Sequence, residues 1–187
     1  MRRAPIRCES TSSGFTLIEI LVVMVIVGII VATASLSVGV LGRDRELEEE
    51  AKRFTAVLNQ AREEAELQGM DVGVFVTQPA YEYLRYDGRR EYWKPIEDDR
   101  LFRTRELPEG VRVRLWIDGR EVILKPKLEP YDEKEHDKHA PQVMALSSGD
   151  VSPFELRLER EGTTEQWRVV GAPDNSVKAE AIDASKR

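Results

Sequence analysis

Cysteine is nearly missing: Cys8 is the only one in 187 residues. Without a second thiol no disulfide can close within the chain, and no Cys-x-x-Cys redox or metal pair exists. Histidine is almost as scarce, at two residues. No serine, histidine and carboxylate stand in a catalytic-triad order, and no glycine-rich phosphate loop is present. These absences argue against an enzyme. The net charge of −6 is not the electrostatic footprint of a nucleic-acid binder. No internal repeat is visible. A charge is also absent where it is most telling, since no residue from Ile20 to Leu41 carries one.

That run is rich in Ile, Leu and Val, contains Gly28 and Gly39, and has no proline. A helix rises about 1.5 Å per residue and a bilayer core is about 30 Å thick, so roughly twenty residues suffice to span it. A helix packed in a soluble core would show a polar face, and this one shows none. Glu19 sits at the edge of the apolar block. A carboxylate deep in a membrane helix costs about 2.5–3.5 kcal/mol, which calls for a partner. A cut between Gly14 and Phe15 would create one. The new α-amino group would lie four residues from Glu19, on the same helix face and about 5–6 Å away, or would meet a neighbour's Glu19.

A short basic leader followed by Gly14-Phe15-Thr16-Leu17-Ile18-Glu19 and an apolar helix resembles the signal of type IV pilins and type II secretion pseudopilins. The resemblance covers roughly residues 1 to 42. It implies cleavage after Gly14 by a membrane-embedded prepilin peptidase, N-methylation of Phe15, and Glu19 as the assembly glutamate. An ordinary secretory signal cut at the small residues Ala32-Thr33-Ala34 is the competing reading. The apolar run continues past that triplet to Leu41, which the competing reading leaves unexplained. Arg2, Arg3 and Arg7 precede the span, so the N-terminus is expected to stay cytoplasmic and the remainder to be exported. Cys8 falls in the leader. The processed chain therefore lacks the C-terminal disulfide loop of many major type IV pilins.

Beyond Arg43 the apolar positions change to Leu47, Ala51, Phe54, Leu58, Ala61 and Ala65, spaced by alternating fours and threes, with charges on the other faces. This predicts an amphipathic continuation of the helix that stops near Gly69. Strand patterns follow. Val72–Thr77, Gln142–Ser147, Phe154–Arg160, Glu165–Gly171 and Val177–Ile182 read as strands. Ala80–Tyr86 and Arg89–Lys94 read as a hairpin with a tight primed turn at Asp87-Gly88, and Val111–Ile117 pairs with Glu121–Lys125 across Asp118-Gly119-Arg120. Glu161-Gly162-Thr163 reads as a third hairpin turn. Pro126 to Pro141 reads as a charged loop. The expected class is α+β. A long N-terminal membrane-spanning helix packs its C-terminal half on an antiparallel sheet or sandwich. The expected organisation is leader 1–14, transmembrane helix 15–42, amphipathic continuation 43–69 and a periplasmic β-rich domain 70–187.

The stretch from Pro141 to Leu156, a strand ending in Ser147-Ser148-Gly149-Asp150 and then Ser152-Pro153-Phe154, resembles the H-type minor pseudopilins. Physically it is a turn rich in residues that bond their own backbone, followed by a strand entered through proline. Its serines have no histidine and carboxylate beside them and are not nucleophiles. His136 and His139, three apart among acids, are metal-ligand candidates, but the interleaved lysines favour a solvated loop, and no cofactor is expected. The hairpin Arg85–Lys94 interleaves bases with Tyr86, Tyr92 and Trp93, which suits stacking on single-stranded nucleic acid or an interface patch. Overall acidity disfavours nucleic acid. Asp98-Asp99 and Glu48-Glu49-Glu50 read as solvated charge runs.

The resemblance implies a minor pseudopilin anchored in the inner membrane by one pass. Its partners would be prepilin peptidase, other minor pseudopilins, the major pseudopilin, the inner-membrane secretion platform and lipid. A minor pilin of a type IV pilus, with a DNA-uptake role, and a membrane-anchored periplasmic binding module are the alternatives. Replacing Gly14 with Leu is expected to block processing. Mass spectrometry should then find the leader retained; a mature mass equal to wild type would refute the cleavage site.

Overall fold

The computed structural model describes residues 16–161 and 165–183, excepting the side chains of 33–44, 165 and 183. A single helix, α1 (Leu17–Gln68), opens the described chain. Compactness divides the chain into two units, residues 1–42 and residues 43–187. Every large apolar side chain from Leu17 to Val31 is at least 49% exposed.

Among the described residues no helix is long and apolar enough to cross a membrane. The uncharged run of the sequence extends to Leu41, and its side chains from 33 onward lie outside the described residues.

The second unit holds ten strands among the described residues: β1 (Val72–Val76), β2 (Ala80–Asp87), β3 (Tyr92–Pro95), β4 (Arg105–Glu106), β5 (Val111–Ile117), β6 (Arg120–Val122), β7 (Val143–Ala145), β8 (Phe154–Arg160), β9 (Glu165–Gly171) and β10 (Val177–Asp183). They form two five-stranded sheets. The first has the order β3-β2-β1-β7, with β4 also on β2; the second has the order β10-β9-β8-β5-β6. Strand pairing within both sheets is antiparallel. The chain changes sheet after β4, after β6 and after β7, so the two layers are built from interleaved segments.

The core lies between the C-terminal half of α1 and both sheets. Leu47, Ala51, Phe54, Leu58, Ala61 and Ala65, the stripe read from the periodicity, are each at most 1% exposed. They cluster with Val74, Val76, Tyr81 and Tyr83 of the first sheet and with Val113, Leu115, Leu156, Leu158 and Val169 of the second. Phe54 joins the two layers. Its ring meets Tyr81 edge-on at 5.1 Å and Phe154 at 6.1 Å. In β8 burial alternates along the strand, as a half-buried strand requires. In β1 every residue is buried, which explains its weak alternation in sequence. One face of β1 meets α1; the other is covered by the segment that precedes β7.

The Asp118-Gly119 turn has φ of 51° and 74°, and Ile117 pairs with Arg120. That is a two-residue primed turn; Arg120, read from sequence as part of the turn, already belongs to β6, which ends at Val122. The first hairpin differs from expectation. Asp87 pairs with Tyr92, leaving a four-residue loop. The Asp87 carboxylate accepts from the amides of Arg89 and Arg90 at 3.1 and 3.3 Å, and Glu91, at φ 59°, takes the left-handed position assigned to Gly88. An aspartate that bonds the amides ahead of it favours a wider, helical turn over a tight one. The third turn, at Gly162 and Thr163, lies outside the described residues. The Pro126–Pro141 loop contains a 3-10 segment, Glu133–His139.

Phe54→Ala removes the ring shared by both sheets and should destabilise the domain by about 3–5 kcal/mol. Ile123→Ala, at a 97% exposed position, should stay within about 0.5 kcal/mol of wild type. Denaturant unfolding of the full chain in detergent checks both. Equal effects would contradict the placement of the core.

Candidate assembly site and domain anchors

Glu19 lies in the first turn of α1, and its side chain is exposed. Thr16 precedes the helix. Its Oγ accepts from the Glu19 amide at 3.3 Å and its carbonyl accepts from the same amide at 3.0 Å. Thr16-Leu17-Ile18-Glu19 therefore has the spacing of a capping box, with threonine at the cap and glutamate three residues on. The carboxylate also stands where the positive end of the helix dipole favours it. The signal Thr-x-x-Glu was present in the sequence and was absorbed into the leader motif. Gly14 and Phe15 lie outside the described residues.

Two further carboxylates of α1 hold the sheets. Glu46 accepts from Arg160, at the end of β8, at 2.7 Å; the arginine side chain is 6% exposed. Glu50 accepts from the Tyr81 hydroxyl at 2.6 Å and from Arg105, in β4, at 3.1 Å. Each sheet thus sends one arginine to the helix. Glu50 is 3% exposed, so the Glu48-Glu49-Glu50 run is not wholly a solvated face. Glu50 precedes Phe54 by four residues and shares its inward face, and the charge is tolerated there because a hydroxyl and a guanidinium meet it. Burial, with the neighbouring Tyr83 and Glu50, pushes the Tyr81 hydroxyl well above its usual range; the hydrogen bond to Glu50 raises the Arg105 guanidinium.

The turn after β7 is bonded throughout. Asp150 accepts from Ser148 Oγ at 2.7 Å and from Asn175 Nδ2 at 2.8 Å, and these bonds hold its carboxyl below the usual carboxylate range. Asp71 Oδ1 accepts from the Ser147 amide at 2.8 Å, and Ser152 Oγ accepts from the Met144 amide at 2.8 Å. The Ser148 hydroxyl holds a carboxylate and the Ser152 hydroxyl a backbone amide. In the hairpin, Lys94 pairs with Asp87 at 3.1 Å and Tyr86 packs on Trp93, so part of its charge and aromatic surface is already engaged.

His136 stacks on Tyr92 with ring centroids 5.0 Å apart. His139 is 3% exposed, so the reading of this stretch as wholly solvated is corrected. Its imidazole is drawn inward by Phe75 and Tyr131, at 5.2 and 5.4 Å, and its Nε2 lies 3.0 Å from the Glu129 carbonyl. The two histidines thus serve different surroundings. Among the described residues no group of three or more His, Cys, Asp or Glu is arranged to hold a metal ion.

A model of the prokaryotic N-terminal methylation motif matches residues 10–35, and one of the type II transport protein GspH matches residues 50–175. The chain belongs to the GspH family. It is 34% identical to the type II secretion system protein H of Pseudomonas aeruginosa over 94% of this chain and 98% of that protein. The Aeromonas hydrophila protein of the same name is 28% identical over 80% of this chain and 81% of that one. A crystal structure of the minor pseudopilin EpsH from the type II secretion system of Vibrio cholerae is similar, with TM-score 0.60 and 27% identity, covering 73% of this chain and 97% of that chain. The solution structure of GspH from Escherichia coli, at 23% identity and TM-score 0.54, shares the fold.

By family this is a minor pseudopilin of type II secretion, and the GspH relatives are named as secretion-system components rather than enzymes. Their names favour that reading over a type IV pilus pilin or a membrane-anchored binding module. The GspH match includes the Ser147–Phe154 turn, and the methylation-motif match includes Gly14, Phe15 and Glu19.

Glu50→Leu leaves Arg105 and the Tyr81 hydroxyl without their acceptor. It should destabilise the domain more than Glu49→Leu, at an exposed neighbour in an i,i+4 pair. Thermal unfolding of both variants checks this; equal shifts would contradict the anchoring role of Glu50.

Proposed function

We propose that this chain is a minor subunit at the tip of the secretion pseudopilus, where it helps folded proteins cross the outer membrane. In this reading residues 1–14 are removed by prepilin peptidase and Phe15 is N-methylated. Residues 15–42 then anchor the protein in the inner membrane by one pass, residues 43–69 continue the helix, and the β-rich domain from 70 onward lies in the periplasm. The observation that carries it is an apolar helix whose large side chains are exposed from Leu17 to Val31, with one carboxylate in its capped first turn.

Such a helix is stable only in lipid or against other apolar helices. The Glu19 carboxylate supplies the specificity. In a low-dielectric medium it is costly alone and strongly attracted to a cation. The α-amino group of a neighbouring subunit's Phe15 is such a cation once the leader is gone. Pairing fixes one axial register between helices, while apolar contact supplies non-directional adhesion. Other minor pseudopilins and the major pseudopilin are the partners this chemistry fits, with the inner-membrane platform feeding subunits from lipid.

Glu19→Ala should be cleaved normally and lose co-purification with partner pseudopilins by about tenfold or more, the scale expected for a desolvated charge pair. Thr16→Val, which removes the cap but keeps the carboxylate, should retain most of it. Wild-type recovery of the Glu19→Ala protein with its partners would refute the pairing.

A further inference from the structure

The outer face of the second sheet carries an ordering that folding does not require. Burial alternates along β5 and β8, and Arg114, Trp116, Glu155 and Arg157 take outward positions. The register makes Arg114 the partner of Arg157, and Arg157 the partner of Arg168 in β9. Three arginines therefore stand directly opposite one another on three adjacent strands, about 4.8 Å from strand to strand. Like charges in that relation destabilise a sheet. A row that breaks a local rule of folding points to a use outside folding.

Each of the three has a carboxylate, on one edge only. Glu121 accepts from Nε and Nη2 of Arg114, both at 2.7 Å. Glu155 accepts from Nε of Arg157 at 2.5 Å, and Glu180 accepts from Nε and Nη2 of Arg168. A guanidinium has five N–H donors. Among the described residues, no hydrogen bond takes Nη1 of Arg114, Nη1 of Arg168 or either Nη nitrogen of Arg157. Two of the guanidiniums also lie over the Trp116 ring, Arg114 at 4.9 Å and Arg157 at 4.5 Å from its centroid. The row is thus held in place by glutamates and an indole while its donors stay open. The three arginine side chains are 19% to 38% exposed, so a partner can reach them.

We propose that this row is a docking surface for an acidic segment of another protein, whose carboxylates bind the open Nη ends of Arg114, Arg157 and Arg168 beside Trp116. Docking here requires neither removal of the leader nor a place in the pseudopilus.

Charge complementarity selects that occupant. The chain has a net charge of −6, so an acidic partner is repelled by the whole and gains only where cations are gathered. The planar guanidinium fork meets a carboxylate with two bonds, where an ammonium offers a point charge. Little side-chain freedom is lost on binding, because the arginines are already held. Arginine and tryptophan are also the side chains that most often anchor interfaces.

Fluorescence anisotropy of a labelled hexaglutamate peptide, titrated with the full chain in nonionic detergent, tests this. The peptide should bind at low ionic strength and be released as salt screens the charges. Arg157→Lys keeps the charge and loses the fork, and should weaken binding by about tenfold. Arg168→Lys, on the next strand, should weaken it in the same direction. Arg112→Lys lies outside the row in an exposed pair with Glu161, and should bind within about twofold of wild type. Thermal unfolding midpoints near wild type identify the losses as lost contacts. Absence of peptide binding, or equal binding by all three variants, would overturn the proposal. Tighter binding of a single-stranded oligothymidylate of equal charge would assign the row to nucleic acid, and self-association abolished by Arg157→Lys would assign it to a second copy; either result would overturn it as well.

Discussion

The β-rich domain depends on one helical stripe leaving water. Leu47, Phe54 and Leu58 are buried against two sheets at once, with Ala51, Ala61 and Ala65 between them. At about 25 cal/mol per Å² of apolar surface removed from water, a stripe of this kind gives the strands a common surface to condense on. The alanines let the sheets approach the helix closely, and Phe54 reaches both. The helix is therefore both the frame of the domain and the carrier of the apolar block at its other end.

Charge is placed on the same helix with a different purpose at each position. Glu46 and Glu50 are satisfied within the chain, each by an arginine from a different sheet. Glu19 bonds through its amide to the threonine that caps the helix, while its exposed carboxylate remains available to a cation. The first two glutamates tie strands to a helix. The third has a stabilising place at the helix start and, in the proposed filament, a second one against a neighbour's amine. The same side-chain chemistry thus supports folding in one place and, in the proposed filament, assembly in another, and what separates the cases is whether the partner is in the same chain.

The most local features were the most legible. A stripe at helical spacing and an Asp-Gly turn depend on their own neighbours, so the Leu47 to Ala65 stripe and a hairpin turn at Asp118-Gly119 were legible in the sequence, although Arg120 belongs to the strand and not to the turn. Glu50 did not, because its burial rests on Tyr81 and Arg105, which lie 31 and 55 residues away. His139 was misread for the same reason: lysines and acids surround it in sequence, whereas Phe75 and Tyr131 surround it in space. The Asp87 turn shows a subtler failure. The dipeptide Asp-Gly fits a tight turn, but Asp87 also bonds the amides of Arg89 and Arg90, and the wider loop followed. Within the candidate site, the leader motif was plain, while the threonine cap on the Glu19 amide became visible only with the helix start in place.

The proposed pairing of Glu19 needs an amine that exists only after the leader is removed. Intact-mass and N-terminal sequencing of the protein purified from native membranes tests this most directly. It should begin at Phe15 and carry one added methyl group. A chain that still begins at Met1, or one that begins after Ala34, would leave Glu19 without its proposed partner and contradict the assembly mechanism.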